Sequence, residues 1–87
     1  MGHNSRSNPE TLTEAFGAVL REIRKERGLS QEDLGLESGY HRTYVSLLER
    51  GLKSPSLQTI YELARALGIR PSELLSRVEH ALGRKPK

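Results

Sequence analysis

The sequence contains no cysteine. Disulfides and thiolate metal sites are therefore excluded, and the composition is compatible with a reducing cytoplasm. It has no apolar run of about 18 residues, the length a membrane-spanning helix needs. The first ten residues, MGHNSRSNPE, lack the apolar segment of a secretory signal. No stretch alternates apolar and polar residues as a strand would. Aspartate occurs once, at Asp33, and histidine three times, at His3, His41 and His80. These histidines are too scattered for metal-ligand spacing. No nucleophile–base pair and no glycine-rich phosphate loop is present, which argues against an enzyme and calls for no cofactor.

What is present fits one small domain. The chain has 87 residues, 34% hydrophobic and 29% charged, with a formal net charge of +3. That mild basic bias is consistent with a polyanionic partner. Its distribution says more. Between Gly28 and Ser56 the cations Arg42, Arg50 and Lys53 face the acids Glu32, Asp33, Glu37 and Glu49. That segment is net acidic, so any nucleic-acid surface in it depends on geometry and not on bulk charge. Residues 1–10 are expected to be a flexible segment, residues 11–83 a folded domain, and residues 84–87, with Arg84, Lys85 and Lys87, a short basic tail. No separate sensor domain is expected within 87 residues.

Five helical signals follow one another. Thr11 or Thr13 can cap the first, whose apolar series is Phe16, Val19, Leu20 and Ile23. Arg24, Lys25 and Arg27 suit its C-terminal dipole, and Gly28 stops it. Ser30 caps the second helix, with Asp33 in the position of a capping-box acid. Gly39 ends it. His41 or Arg42 starts the third, which Gly51 closes. Ser56 caps the fourth, with Leu57, Ile60, Leu63, Ala64 and Leu67 as its stripe, and Gly68 stops it. Pro71 fits the first turn of the fifth, whose stripe is Leu74, Leu75, Val78 and Leu82.

The stretch "SGYHRTYVSLLERG" carries the most information. Wound at about 100° per residue from Arg42, it gathers Tyr44, Val45 and Leu48 on one side. Arg42, Thr43, Ser46 and Arg50 gather on the other, with Leu47 at the edge. Two short helices joined through Gly39 and Tyr40 must cross steeply. Gly35, in mid-helix, costs about 1 kcal/mol relative to alanine, and its small size is expected to let the third helix approach the second closely.

These residues resemble the phage Cro and repressor helix-turn-helix proteins of the XRE type. The resemblance covers roughly residues 15–75 and rests on "R.ERGLSQ.DL", "SG" and "YVS..ERG...PSL.T...LA.ALG" in order. It implies an all-α, compact five-helix lambda-repressor-like domain that regulates transcription as a homodimer. The third helix would enter the major groove of double-stranded DNA at a (pseudo)palindromic operator. By position, Arg42, Thr43, Ser46 and Leu47 would face bases. Gln31, Tyr40, Arg50, Lys53 and Ser54 would meet the phosphate backbone, and Arg24 and Glu49 would form an ion pair. Departures from the family pattern are Gly35 for alanine, Tyr40 for a smaller aliphatic, and apolar Leu36 and Leu47 at usually polar positions. Leu74, Leu75, Val78 and Leu82 are expected to supply a dimer surface, a core, or both. Minimal regulators of this kind resemble restriction–modification controller proteins and small phage repressors. The alternative is an antitoxin-type protein-interaction module that also binds its own promoter, for which Leu36, Leu47 and the basic tail would serve as partner surface.

Overall fold

The computed structural model describes residues 11–83. The expected N-terminal segment at residues 1–10 and the basic tail at 84–87 lie outside the described residues. Among the described residues there are five helices and no strand: α1 (Leu12–Glu26), α2 (Gln31–Ser38), α3 (Arg42–Glu49), α4 (Leu57–Leu67) and α5 (Pro71–Leu82).

Local chemistry accounts for most of the boundaries. Thr11, not Thr13, caps α1: its hydroxyl accepts from the Glu14 amide, and Glu14 reaches back to the Thr11 N–H. Ser30 and Asp33 make the same reciprocal pair at α2. The Ser30 backbone N–H holds the Asp33 carboxyl below its ordinary value, because it bonds the charged form. His41 caps α3 with its Nδ1, which accepts from the Thr43 amide at 3.0 Å. Ser56 caps α4, and Pro71 opens α5 behind an Arg70 that makes no side-chain cap. Gly39 takes φ 87°, ψ 17°, a left-handed conformation that turns α2 into α3 at little steric cost.

Helix α1 packs against α3 and α5, α2 against α3 and α4, and α4 against α5. The core is built from Phe16, Leu20 and Ile23 of α1, Leu34 of α2, Val45 and Leu48 of α3, Leu63 and Leu67 of α4, and Leu74 and Val78 of α5. Arg77 ties α5 to α1 from outside, bonding Glu26 at 2.8 Å and Glu22 at 3.0 Å.

Two expectations need correction. Leu57, placed in the inner stripe of α4, is 68% exposed. The buried side of α4 runs through Thr59, Leu63, Ala64 and Leu67, and Leu57 falls at its edge. Leu74 and Val78, expected on a dimer surface, in the core, or in both, are 0% and 1% exposed, so the dimer share of that expectation falls away for them. They are consumed in closing the monomer's own core against α1. Of the same set only Leu75 is exposed, while Leu82 is half-buried.

Two glycines fix how closely the helices approach. A Cβ at Gly35 would overlap the Tyr40 carbonyl oxygen, so the turn rests directly on α2. A Cβ at Gly17 would overlap the Leu48 carbonyl oxygen and lie 2.7 Å from that of Glu49. The last turn of α3 thus sits on the bare backbone of α1.

Candidate nucleic-acid interface

Helix α3 is held by its inner side and offers its outer side. Val45 and Leu48 are fully buried. Tyr44, on the same side, is half-buried and lies against the Tyr40 ring, with centroids 5.2 Å apart and planes tilted by 40°. On the outer side Arg42 and Thr43 are exposed, and Ser46 and Leu47 are half-buried. The expected base-facing residues therefore share one face.

That face is lightly tethered. The Arg42 guanidinium lies 3.9 Å from the Glu32 carboxylate, and both side chains are about two-thirds exposed. A pair this open contributes little and leaves the guanidinium available. Arg50 donates from Nε to the Ser46 hydroxyl at 3.3 Å. Lys53 and Ser54 are exposed on the loop that follows. The Leu52 amide bonds the Leu47 carbonyl at 2.9 Å, and Gly51, at φ 73°, turns the chain there.

Behind the face stands a polar cluster. Arg24 donates from Nε to Glu49 Oε2 at 2.6 Å and from Nη2 to Oε1 at 3.0 Å. Its Nη1 donates to the Leu29 carbonyl at 2.8 Å. Gln31 adds a third donor to the Glu49 carboxylate, Nε2 to Oε1 at 3.0 Å. The Arg24 and Glu49 side chains are 9% and 2% exposed. The hydrogen bond to Glu49 raises the Arg24 guanidinium above its ordinary value, opposed by burial and aided by the opposite charge. The pair expected from the sequence is present. It also captures Gln31, fixing that amide at the α2 N-terminus.

The cluster changes the charge balance of the segment. The acids of this segment outnumber its cations, but Glu49 is neutralised inside by Arg24, which leaves Glu32, Asp33 and Glu37 exposed on α2. Arg42, Arg50 and Lys53 remain exposed around α3. The local sign of the surface is set by position, with the acids on α2 and the cations on α3 and the loop after it.

Tyr40 departs from expectation. Its hydroxyl donates to Thr59 Oγ1 of α4 at 3.1 Å and is not presented to solvent as a free donor. Thr59 and Gly17 were not singled out in the sequence. Gly17 had a usable signal, since glycine in a helix interior demands the same explanation as Gly35. Thr59 stands in the quoted motif "PSL.T", but its partner lies on another helix and spacing alone does not name it. Among the described residues no group of three or more His, Asp or Glu side chains is placed to hold a metal ion, and no helix is long and apolar enough to cross a membrane.

Comparison with known proteins agrees with this geometry. The helix-turn-helix family profile HTH_3 matches residues 20–74. The control protein C.BamHI of Bacillus amyloliquefaciens is 44% identical over 61 residues, covering 69% of this chain and 75% of that protein. The crystal structure of the restriction-modification controller protein C.AhdI from Aeromonas hydrophila superposes with a TM-score of 0.69 at 51% identity, covering 72% of this chain and 94% of that one. The clp gene regulator ClgR from Corynebacterium glutamicum gives a TM-score of 0.82 at 33% identity, covering 86% and 81%. The chain belongs to the XRE-type helix-turn-helix family of DNA-binding transcriptional regulators.

Proposed function

We propose that this chain regulates transcription in the cytoplasm by binding a (pseudo)palindromic operator as a homodimer, with α3 in the major groove. The observation that carries the reading is the split of α3. Its inner face is locked into the core, and its outer face presents Arg42, Thr43, Ser46 and Leu47 together. A major groove about 12 Å wide admits one helix of about that diameter. Arg42, in the first turn, is the bidentate donor to guanine. Thr43 and Ser46 are short and bond base edges or phosphates at close range. Leu47 has no hydrogen bond to give and meets a thymine methyl.

Phosphate contacts come from Gln31, Arg50, Lys53 and Ser54. Gln31 keeps a second amide proton while the first is held by Glu49, so its orientation is set before DNA arrives. The likeness to C.BamHI and C.AhdI, a control protein and a controller protein, supports a regulatory role. For the dimer, Leu75 and Leu12 flank an apolar groove floored by Phe16, Ile60 and Val78. A second copy placed there, with Leu82 alongside, would bury these leucines.

Selection of bound duplexes from a random library tests the whole reading. A palindromic consensus is expected, with a guanine and a thymine in each half-site. Affinity should fall steeply with salt, as phosphate contacts release counterions. A non-palindromic set, or a salt-independent affinity, contradicts it. One observation favours a second reading, an antitoxin-type interaction module: Leu36 is 78% exposed beside the turn. Stoichiometric co-purification with one native partner protein would favour that reading.

A further inference from the structure

We propose that Thr59 is a positioning residue for DNA-backbone binding and that Tyr40 acts through it instead of touching a phosphate, an inference that rests on the DNA-binding reading above. A phosphate oxygen has no proton to give, so a tyrosine hydroxyl serves it only by donating. Tyr40 has one hydroxyl proton, and it is placed on Thr59 Oγ1 at 3.1 Å. The position assigned by resemblance to a backbone contact is therefore occupied by a group already committed inside the protein.

The commitment belongs to a chain of hydroxyls. Thr59 is 4% exposed. Its Oγ1 shares a hydrogen bond with Ser56 Oγ at 2.9 Å, and its backbone N–H donates to the same Ser56 oxygen at 3.1 Å. With Tyr40 donating to Thr59, the remaining Thr59 proton goes to Ser56. The chain Tyr40 to Thr59 to Ser56 then has a donor and an acceptor at each link. It starts in the helix-turn-helix turn and ends at the cap of α4. At the other end of Tyr40, the ring lies against Tyr44 of α3. One side chain thus ties α3 to the α4 cap.

Lys53 and Ser54 sit on the loop between those two elements. That loop is fixed near its start by the Leu52 amide on the Leu47 carbonyl and at its finish by Ser56. Phosphate contacts position a protein on the duplex and carry no sequence information. A residue that sets this loop therefore governs affinity and register and leaves base choice alone.

The test compares Thr59→Val, which keeps the shape and removes the hydroxyl, with Tyr40→Phe, Thr59→Ser and the double variant Tyr40→Phe, Thr59→Val. Binding is measured to the selected duplex across a salt series, well below each variant's melting temperature. Thr59→Val and Tyr40→Phe should each weaken binding by roughly 3- to 10-fold, flatten the salt slope, and leave the selected consensus unchanged. The double variant should be no worse than either single one, and Thr59→Ser should restore both affinity and slope. If Tyr40→Phe alone weakened binding while Thr59→Val did not, Tyr40 would be a direct phosphate contact and the proposal would be overturned. It is equally overturned if the variants melt earlier but bind with unchanged affinity and slope, which is what a purely structural chain predicts. Should Thr59→Val not fold, Tyr40→Phe and Thr59→Ser decide: equal loss in both, or loss in neither, overturns the proposal. An unmodified chain that bound no duplex would sink the DNA-binding reading and this inference with it. A binding chain matched by both variants removes only the inference.

Discussion

Arg24 grips Glu49 across the α1–α3 interface with two parallel hydrogen bonds, of 2.6 and 3.0 Å. The fork of the guanidinium matches the carboxylate, so the contact fixes orientation as well as distance. Through Glu49 the same contact reaches Gln31, and through Nη1 it reaches the Leu29 carbonyl. One cation thus ties together the end of α1, the entry to α2 and the end of α3. Removing one partner strands a charge in a nearly closed site, at a cost of about 3 kcal/mol or more. Removing both with apolar residues of similar size strands no charge and frees only the Gln31 amide and the Leu29 carbonyl. Arg24→Met and Glu49→Leu should each destabilise strongly, and the double variant should recover much of the loss. A denaturant double-mutant cycle checks this. Purely additive effects would show the pair to be uncoupled.

Gly17 sets the distance between α1 and α3. Alanine is the better helix former by about 1 kcal/mol, so propensity alone favours Gly17→Ala. Sterics oppose it, because the added methyl would meet the Leu48 and Glu49 carbonyl oxygens, which are backbone and cannot swing aside. Forcing an extra carbon into such a contact costs about 1–3 kcal/mol. The clash outweighs the propensity gain, and the variant should melt below the unmodified chain. It should also weaken DNA binding, since the displaced atoms belong to the last turn of α3. A variant that melted higher would show that the interface relaxes freely.

How much of this was legible depended on the range of the interaction. The caps at Ser30 and Ser56 and the glycine stops at Gly39 and Gly68 are chemistry within a few residues, and the sequence displays them. The choice between Thr11 and Thr13 was open because both carry a hydroxyl, and only the partner amide decides. Leu57 was misplaced, and Leu74 and Val78 were left open between core and dimer surface, for a different reason. Helical periodicity identifies an apolar face but not how much of it a neighbouring helix covers. Whether Val78 meets α1 or solvent is decided by a helix more than 50 residues away. The outward face of α3 was legible because it depends only on spacing. The partner of the Tyr40 hydroxyl was not, because Thr59 is 19 residues away.

Burial separates the proposed dimer surface from the core. Leu75 is 38% exposed and Val78 is 1% exposed, although both lie on α5. Leu75→Glu should therefore give a folded monomer with poor operator affinity. Val78→Glu should fail to fold, since it puts a carboxylate into the core without a partner. Light scattering and circular dichroism on both variants at tens of micromolar check the distinction. If Leu75→Glu remained dimeric, the partner surface would lie elsewhere.

The reading face gives the sharpest expectation. Arg42 is at the α3 N-terminus, its guanidinium is restrained only by a loose 3.9 Å contact to Glu32, and its side chain is 65% exposed. Breaking that contact costs little, so the arginine is free to place both donors on guanine O6 and N7. Arg42→Ala should cost about 1–3 kcal/mol on the selected duplex and relax the preference for guanine at one position of each half-site. Glu32→Gln should leave the preference in place, because the glutamate only parks the side chain. Leu47 behaves differently. It is half-buried and offers no hydrogen bond, so under the proposed docking it would discriminate by contact with a thymine methyl and by leaving a polar base edge unsatisfied. Leu47→Gln should change the base preferred near the thymine without abolishing binding. Repeating the library selection with each variant separates these roles, since a phosphate contact would lower affinity and leave the consensus intact. A consensus and affinity unchanged by Arg42→Ala would mean that another face of α3 reads the DNA.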